Sequence, residues 1–543
     1  MEYKGVKHYQ PDWEMDAQFL LLDLHPVMDL DATLHSHPII QAASHPEQIY
    51  EMFDKISYKK GASILRMLEN FTGPEQFRNG VNLFLDQYKY KNAVTDDLWK
   101  ALEDVSQEQL PIKQMMDTWT RQMGYPVLHV EDLGQGKLTI RQERYLNNGH
   151  KNKENVANFK WDVPLTWITS ETNKTRIQMF GQTENKLRIT VPKTASWVKF
   201  NVGQVGYYRV NYPSKYWTNF IGLLGTHHTI FSPMDRASLL NDAFALAESG
   251  HITYTVPLTM AEYLIHETHL VPIKTAFRKL SDIESLLKNM DTIGLFRSYL
   301  ESILEQMYTR VGWTDQGTHV EKLTRSYVLE KACKNGHSHC SKQAGELLLQ
   351  WIDNVSFPIP ANLRSTVYKY GMAAVGTEEI WGTMLHRFRA EKKADEKLRL
   401  IKGVANIRNE KVVEKFIKMA TNGTVIRVQD LHYTMMAIHH NPIGSKIVSK
   451  FVRTNWEKVD NLFSGKQRRL NQLVKSLVAA FTTQKELKEV KEIFKKYPAK
   501  REKSRTREQT IEKINYNIDW QAKHFLDIKT FLERRGTSDN STP

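Results

Sequence analysis

The 543-residue chain has two cysteines, Cys333 and Cys340, which excludes the disulfide framework of a small secreted domain. At most one internal bridge can form. On one continuous helix their spacing would separate them by about 10.5 Å, beyond disulfide reach. The intervening KNGHSH holds Gly336 and polar residues that can turn the chain. A bridge between two helix ends and a pair of free thiols therefore both stay open.

Long apolar runs are absent too. Nothing approaches the roughly 20 residues that cross a bilayer, and the opening MEYKGVKHYQPDWEMD has no apolar core of a signal peptide. The expectation is that these residues carry no membrane segment, signal or anchor. Also missing is any His-Glu-x-x-His, the helical pattern that sets two imidazoles one turn apart on a metal beside a catalytic glutamate. His266-Glu267-Thr268-His269 spaces its histidines at i, i+3, not i, i+4, and is not expected to hold a metal.

What is present is globular: 41% hydrophobic and 25% charged residues, with 27 Gly and 18 Pro. That rules out disordered and fibrous classes, and the length requires more than one core. The net charge is +14. Between Lys466 and Glu508 stand 14 Lys or Arg against five Asp or Glu, so most of the excess sits in one amphipathic stretch. Such charge reads as a solvated helix face. No nucleic-acid-binding module accompanies it, so no nucleic-acid partner is expected.

The pattern divides the chain. Residues 1–124 are helical in period, as in ASILRMLENF with Ile64, Leu65, Met67 and Leu68. Residues 125–213 change to short β-branched or aromatic runs such as KLTIRQERY, VPLTWITS and KLRITV, which predict a small antiparallel β-sandwich. From 214 to 535 the helical period returns, starting with an N-cap at Ser232 before Pro233 and Asp235. Paired helices over such a length predict an α-solenoid of the HEAT or armadillo kind. The tail 536–543 reads as disordered. Asn-x-Ser/Thr sequons stand at Asn70, Asn173, Asn354, Asn422 and Asn540, a number close to chance; the first four are the glycosylation candidates.

One block carries chemistry: SHPI at 36–39, followed by ISYKKGAS at 56–63. On residue type alone His37 reads as a satisfied core histidine and Tyr58 as a half-buried packing residue. A tyrosine phenol is also a donor that can stabilise the oxyanion formed when a carbonyl is attacked.

In order along the chain, SHPI, ISYKKGASILRML, MDTWTRQMGYPVL, GYYRVNY, DRASLLNDAFALA and VYKYGM resemble the thermolysin-like zinc aminopeptidase family, over residues 1 to about 535. The likeness is greatest to its glutamyl aminopeptidase subgroup, through MDTWTRQMGYPVL, DRASLLNDAFALA, KYPAK and NIDW. The resemblance implies a multidomain, mainly α protein. In it, residues 1–124 are the C-terminal helical part of a thermolysin-like catalytic domain, 125–213 the β-sandwich and 214–535 the solenoid. It implies removal of N-terminal residues, acidic ones in this subgroup, from peptide substrates by a single zinc ion. Tyr58 becomes the transition-state stabiliser and His37 a residue near the active site. Arg468, in QRRL with Arg469 beside it, becomes the arginine that meets the acidic side chain. It further implies a plasma-membrane or extracellular location, a bridge between Cys333 and Cys340, and a homodimer through the helical domain.

The family's zinc ligands, its general base and its amine-gripping box would all lie upstream of Met1, so the chain alone is expected to bind no zinc at the family site and to be inactive. It would then be a truncated isoform or the reading of an incomplete gene model, with an apolar face of residues 1–124 left open. The alternative is a non-catalytic helical-repeat protein that binds peptides or other proteins, derived from an aminopeptidase.

Overall fold

A computed structural model describes residues 2–34, 36–42, 49, 52–106, 110–149, 159–423, 425–464, 467–498 and 505–539. It is mainly helical with two small sheets, and divides into two compact units, Met1–Lys279 and Leu280–Pro543.

The first unit opens with helices whose ends follow from local chemistry. Gly61–Thr72 stops at Gly73, whose φ of 88° suits a residue without Cβ, and Pro74 starts Pro74–Gln87 at its first position. Thr95–Asp104 begins where Asp97 reaches back to accept the Val94 N–H at 2.8 Å. Gly80 lets these two helices meet: a Cβ there would lie 2.9 Å from the Leu102 Cα. Ile64, Met67 and Leu68 are buried as their spacing predicts. Tyr9, Leu22, Phe53 and Tyr58 stand exposed in the same region.

Seven strands follow: β1 (Pro126–Asp132), β2 (Lys137–Arg144), β3 (Val163–Thr169), β4 (Thr172–Phe180), β5 (Leu187–Thr190), β6 (Val198–Phe200) and β7 (Arg209–Asn211). They form sheets ordered β5-β2-β1-β7 and β4-β3-β6. β3 lies between two partners and is buried along its whole length, which explains its nearly unbroken apolar run. The expected antiparallel arrangement needs one correction, because β7 runs parallel to β1. After β6 the chain turns through Asn201 and Gly203, both at positive φ, and comes back beside β1 in the same direction. β7 is an edge strand, and the Asp242 carboxylate accepts its Val210 N–H at 3.1 Å. Helix Pro233–Ser249 then begins as its sequence predicts: the Ser232 side chain accepts the Asp235 N–H at 3.1 Å.

The second unit is a succession of helices. Thr318 with Glu321 and Thr483 with Glu486 form capping boxes that start His319–Lys334 and Gln484–Lys496. Cys333 and Cys340 are bridged, with Cα atoms 5.2 Å apart, because Gly336 at φ 87° folds the end of one helix back onto the start of Ser338–Asp353. In the basic stretch Leu487 and Val490 face inward onto Val478 and Ile514, while Lys485, Lys488, Lys491, Lys495 and Lys496 are exposed, the solvated face that the charge pattern implies. The last helix, Arg505–Asp539, passes through Gly536. Arg534 and Arg535 favour that continuation, since cations near a helix C-terminus complement its dipole. Asn540 and the residues after it lie outside the described ones. No described helix is long and apolar enough to cross a membrane.

Candidate active-site residues and their support

Tyr58 sits in a π-helical turn, Ile56–Lys60, that runs directly into helix Gly61–Thr72. The wider turn sends three consecutive side chains in different directions. Tyr58 is 63% exposed, its ring 6.4 Å from that of Phe53, and among the described residues its hydroxyl makes no hydrogen bond. Lys59 pairs with Asp23 at 3.1 Å, and Lys60 turns inward to a fully buried salt bridge of 2.8 Å with Asp31. The phenol is thus exposed on a turn whose backbone is hydrogen-bonded.

Asp54 fixes where this turn begins. Its backbone carbonyl accepts the Tyr58 N–H at 3.2 Å and its carboxylate accepts the Ser57 N–H at 3.0 Å. The other carboxylate oxygen lies 2.8 Å from His37 Nε2. His37 Nδ1 lies 2.8 Å from the Pro38 carbonyl and 3.2 Å from the Gln41 amide nitrogen, so the ring is held on both sides. Burial pushes the Asp54 carboxyl up, but the His37 hydrogen bond and the Ser57 N–H outweigh it and hold the group below its ordinary value. The structure therefore joins His37 to the Tyr58 turn through Asp54. His35 of the same block lies outside the described residues.

Ser36 ties the other half of this block down by donating to Asp31. Asp31 also accepts the Gly124 N–H at 2.9 Å and the Tyr207 hydroxyl at 3.2 Å, and Lys60 donates to the Gly124 carbonyl at 2.9 Å. Arg209 continues the network, donating to the Tyr125 hydroxyl at 3.1 Å, to Asn241 at 2.6 Å and to Asp242 at 3.0 Å, its guanidinium over the Tyr125 and Tyr145 rings. The short sequence blocks at 36–39, 56–63, 124–128, 206–212 and 235–247 thus meet in one buried polar network. Most of their residues hold the unit together, while Tyr58 is presented outward.

The other sequence candidates are placed as follows. Arg468 is in helix Gln467–Val478, in the second unit; its neighbour Arg469 donates to the Gln429 carbonyl. Asn70, Asn173, Asn354 and Asn422 are all exposed. Glu267 of the His-Glu-Thr-His run is buried against Arg236, accepting at 2.6 and 2.8 Å, and His269 pairs with Glu14 at 2.8 Å. Those partners leave the run no metal-binding face.

Sequence reasoning missed one cluster. His129 on β1, Glu143 on β2 and His251 just past helix Pro233–Ser249 bring three donor atoms within 4.8 Å of one another. Contacts with His129 and then His251 hold the Glu143 carboxyl well below its usual range. Its members are far apart in sequence and no motif links them. They belong to other elements than the Tyr58 turn and do not reproduce a His-Glu-x-x-His helix. The sequence holds no His-Glu-x-x-His, and among the described residues the neighbours of Tyr58 are Phe53, Asp54 with His37, and the Lys59–Asp23 pair.

Residues 1–119 match the Peptidase family M1 domain and residues 197–516 the ERAP1-like C-terminal domain. The chain belongs to the M1 aminopeptidase family. It is 35% identical to glutamyl aminopeptidase of Homo sapiens over 538 residues, 98% of this chain and 55% of that protein. Against glutamyl aminopeptidase of Bitis rhinoceros the identity is 35% over 540 residues, 98% of this chain and 56% of the relative. Against the thyrotropin-releasing hormone-degrading ectoenzyme of Rattus norvegicus it is 30% over 541 residues, 96% and 50%. The chain spans about half the length of the curated M1 relatives it matches. The M1 match ends one residue before Thr120, at the C-terminus of the last helix before the sheets.

Proposed function

We propose that this chain is the C-terminal part of a zinc aminopeptidase that removes acidic N-terminal residues from peptides, and that on its own it does not hydrolyse them. Tyr58 is the transition-state donor, positioned by Asp54 and His37, and Arg468 is the contact for the acidic side chain. The observation that carries the reading is the exposed Tyr58 phenol on a turn whose two lysines, Lys59 and Lys60, are paired with Asp23 and Asp31. Inactivity follows from chemistry: a lone phenol can stabilise an oxyanion but cannot generate a nucleophile, which in this family is the zinc-bound water. The helical region 214–535 is read as a solenoid that can pair two copies, with Asn70, Asn173, Asn354 and Asn422 glycosylated in an extracellular or membrane-bound setting.

The test is hydrolysis of a glutamyl chromogenic substrate by the purified 543-residue chain, with and without added zinc. No turnover above buffer is expected in either case. Zinc-dependent turnover would overturn the inactivity, and turnover lost on chelation but kept in Tyr58→Phe would overturn the role of Tyr58.

A further inference from the structure

We propose that His129, Glu143 and His251 form a binding site for a zinc-class divalent transition-metal ion. Glu143 Oε1 lies 2.9 Å from His129 Nε2 and 3.1 Å from His251 Nε2. Ligand atoms about 2.0–2.1 Å from a tetrahedral metal are about 3.3 Å from each other, so both separations are within a few tenths of an ångström of what an ion between them requires. Two imidazoles and one carboxylate suit zinc, cobalt(II) or nickel(II). Magnesium and calcium prefer oxygen throughout.

The hydrogen bonds behind the two rings point the same way. Ser249 has one hydroxyl proton, and the Ala245 and Leu246 carbonyls of its own helix stand 3.2 and 3.1 Å from its oxygen to take it. Its oxygen is 2.7 Å from His251 Nδ1, which it then accepts from. With the proton on Nδ1, Nε2 of His251 presents its lone pair toward the Glu143 carboxylate, a pair of donors that a metal ion between them would join. His129 repeats the arrangement. Its Nδ1 is 3.3 Å from the Asn211 amide, whose buried Oδ1 has no partner among the described residues. Turning the amide over, which exchanges two atoms of like shape, lets Oδ1 accept from Nδ1–H and frees Nε2 as a ligand. His129 Nε2 is itself buried and, although near Glu143, is at an angle that makes no hydrogen bond. Imidazole ligands in metal sites are oriented in this way by a group behind the ring. The Glu143 side chain is 41% exposed, so the ion and its water reach the site from that side.

The test uses the full chain, freed of metal and titrated with cobalt(II) and with zinc. One equivalent of cobalt per chain with the visible absorption of tetrahedral coordination is expected, together with a zinc-dependent rise in the unfolding midpoint. Glu143→Gln and His251→Gln should each weaken binding at least about tenfold while leaving far-ultraviolet circular dichroism unchanged. In wild-type chain, bound zinc should also protect His129 and His251 from acylation, a measurement that does not depend on the variants folding. Absence of stoichiometric binding, binding that both variants retain, or acylation of both histidines unaffected by zinc would each overturn the site. An unliganded cluster held by protons alone would show as a midpoint that zinc does not move, and counts against the proposal.

Discussion

Lys60 is the most consequential single residue in the first unit. Its ammonium is fully buried, paired with Asp31 at 2.8 Å, and donates to the Gln122 and Gly124 carbonyls at 3.2 and 2.9 Å. Lys60→Met keeps a chain of similar length but leaves the Asp31 carboxylate buried without its counter-charge. Removing one partner of a buried pair costs about 3–5 kcal/mol. For a unit of this size about 2–4 °C of midpoint accompanies each kcal/mol, so the unfolding midpoint should fall by roughly 6–20 °C. Asp31→Asn should cost less. It keeps an acceptor for Ser36 and Gly124, and burial already lowers the pKa of Lys60, so the stranded amine can shed its proton. Combining Lys60→Met with Asp31→Asn should therefore recover at least half of the loss of Lys60→Met. The assay is thermal and urea unfolding of the full chain followed by tryptophan fluorescence, since Trp119 is buried beside Tyr207 of the same network and Trp161 packs on Trp119. A loss below about 1 kcal/mol, or a double variant worse than the sum of the singles, would refute the reasoning.

Three further outcomes are expected. Tyr58→Phe removes a hydroxyl from an exposed ring with no partner among the described residues, so the midpoint should stay within about 0.5 kcal/mol of wild type; a larger change by denaturant unfolding would mean the hydroxyl is structural. The folded-state pKa of Asp54 is depressed, so the stability it adds is present above the unfolded carboxylate value near 3.9 and is lost as pH falls through the lower folded value. Asp54→Asn should accordingly flatten the acid limb of a stability-against-pH curve, and an unchanged limb would remove Asp54 from the account. Cys333→Ser opens a short loop, for which chain entropy gives about 2–2.5 kcal/mol, measurable as a lowered denaturation midpoint that matches wild type under reducing agent.

Much of this was legible in the sequence, for identifiable reasons. The Ser232 cap, the Gly73–Pro74 break and the strand pattern of 125–213 are local signals, and each element formed where its own residues direct it. Tyr58 could be singled out because a family resemblance lent meaning to a residue whose type alone does not. Lys60 drew no attention, since a lysine in a basic run ordinarily points to water; its burial depends on Asp31 and on carbonyls that follow a helix some 60 residues later. The His129, Glu143 and His251 cluster depends on strand register and on where one helix ends, and neither is written in any short spacing. The parallel edge at β7 likewise depends on how the chain crosses between sheets.

The Asp29 carboxylate, which Lys279 meets at 2.9 Å and Arg278 at 2.6 Å, has a consequence in time. Against burial, these cations and Arg209 hold its carboxyl well below the ordinary range, yet Lys279 follows it by 250 residues. At 5–20 residues per second a ribosome needs about 12–50 s to make that span. For that interval the helices before the sheets must exist with Asp29 lacking these two cations. The first unit therefore closes late, when the residues made first receive their partners from those made last.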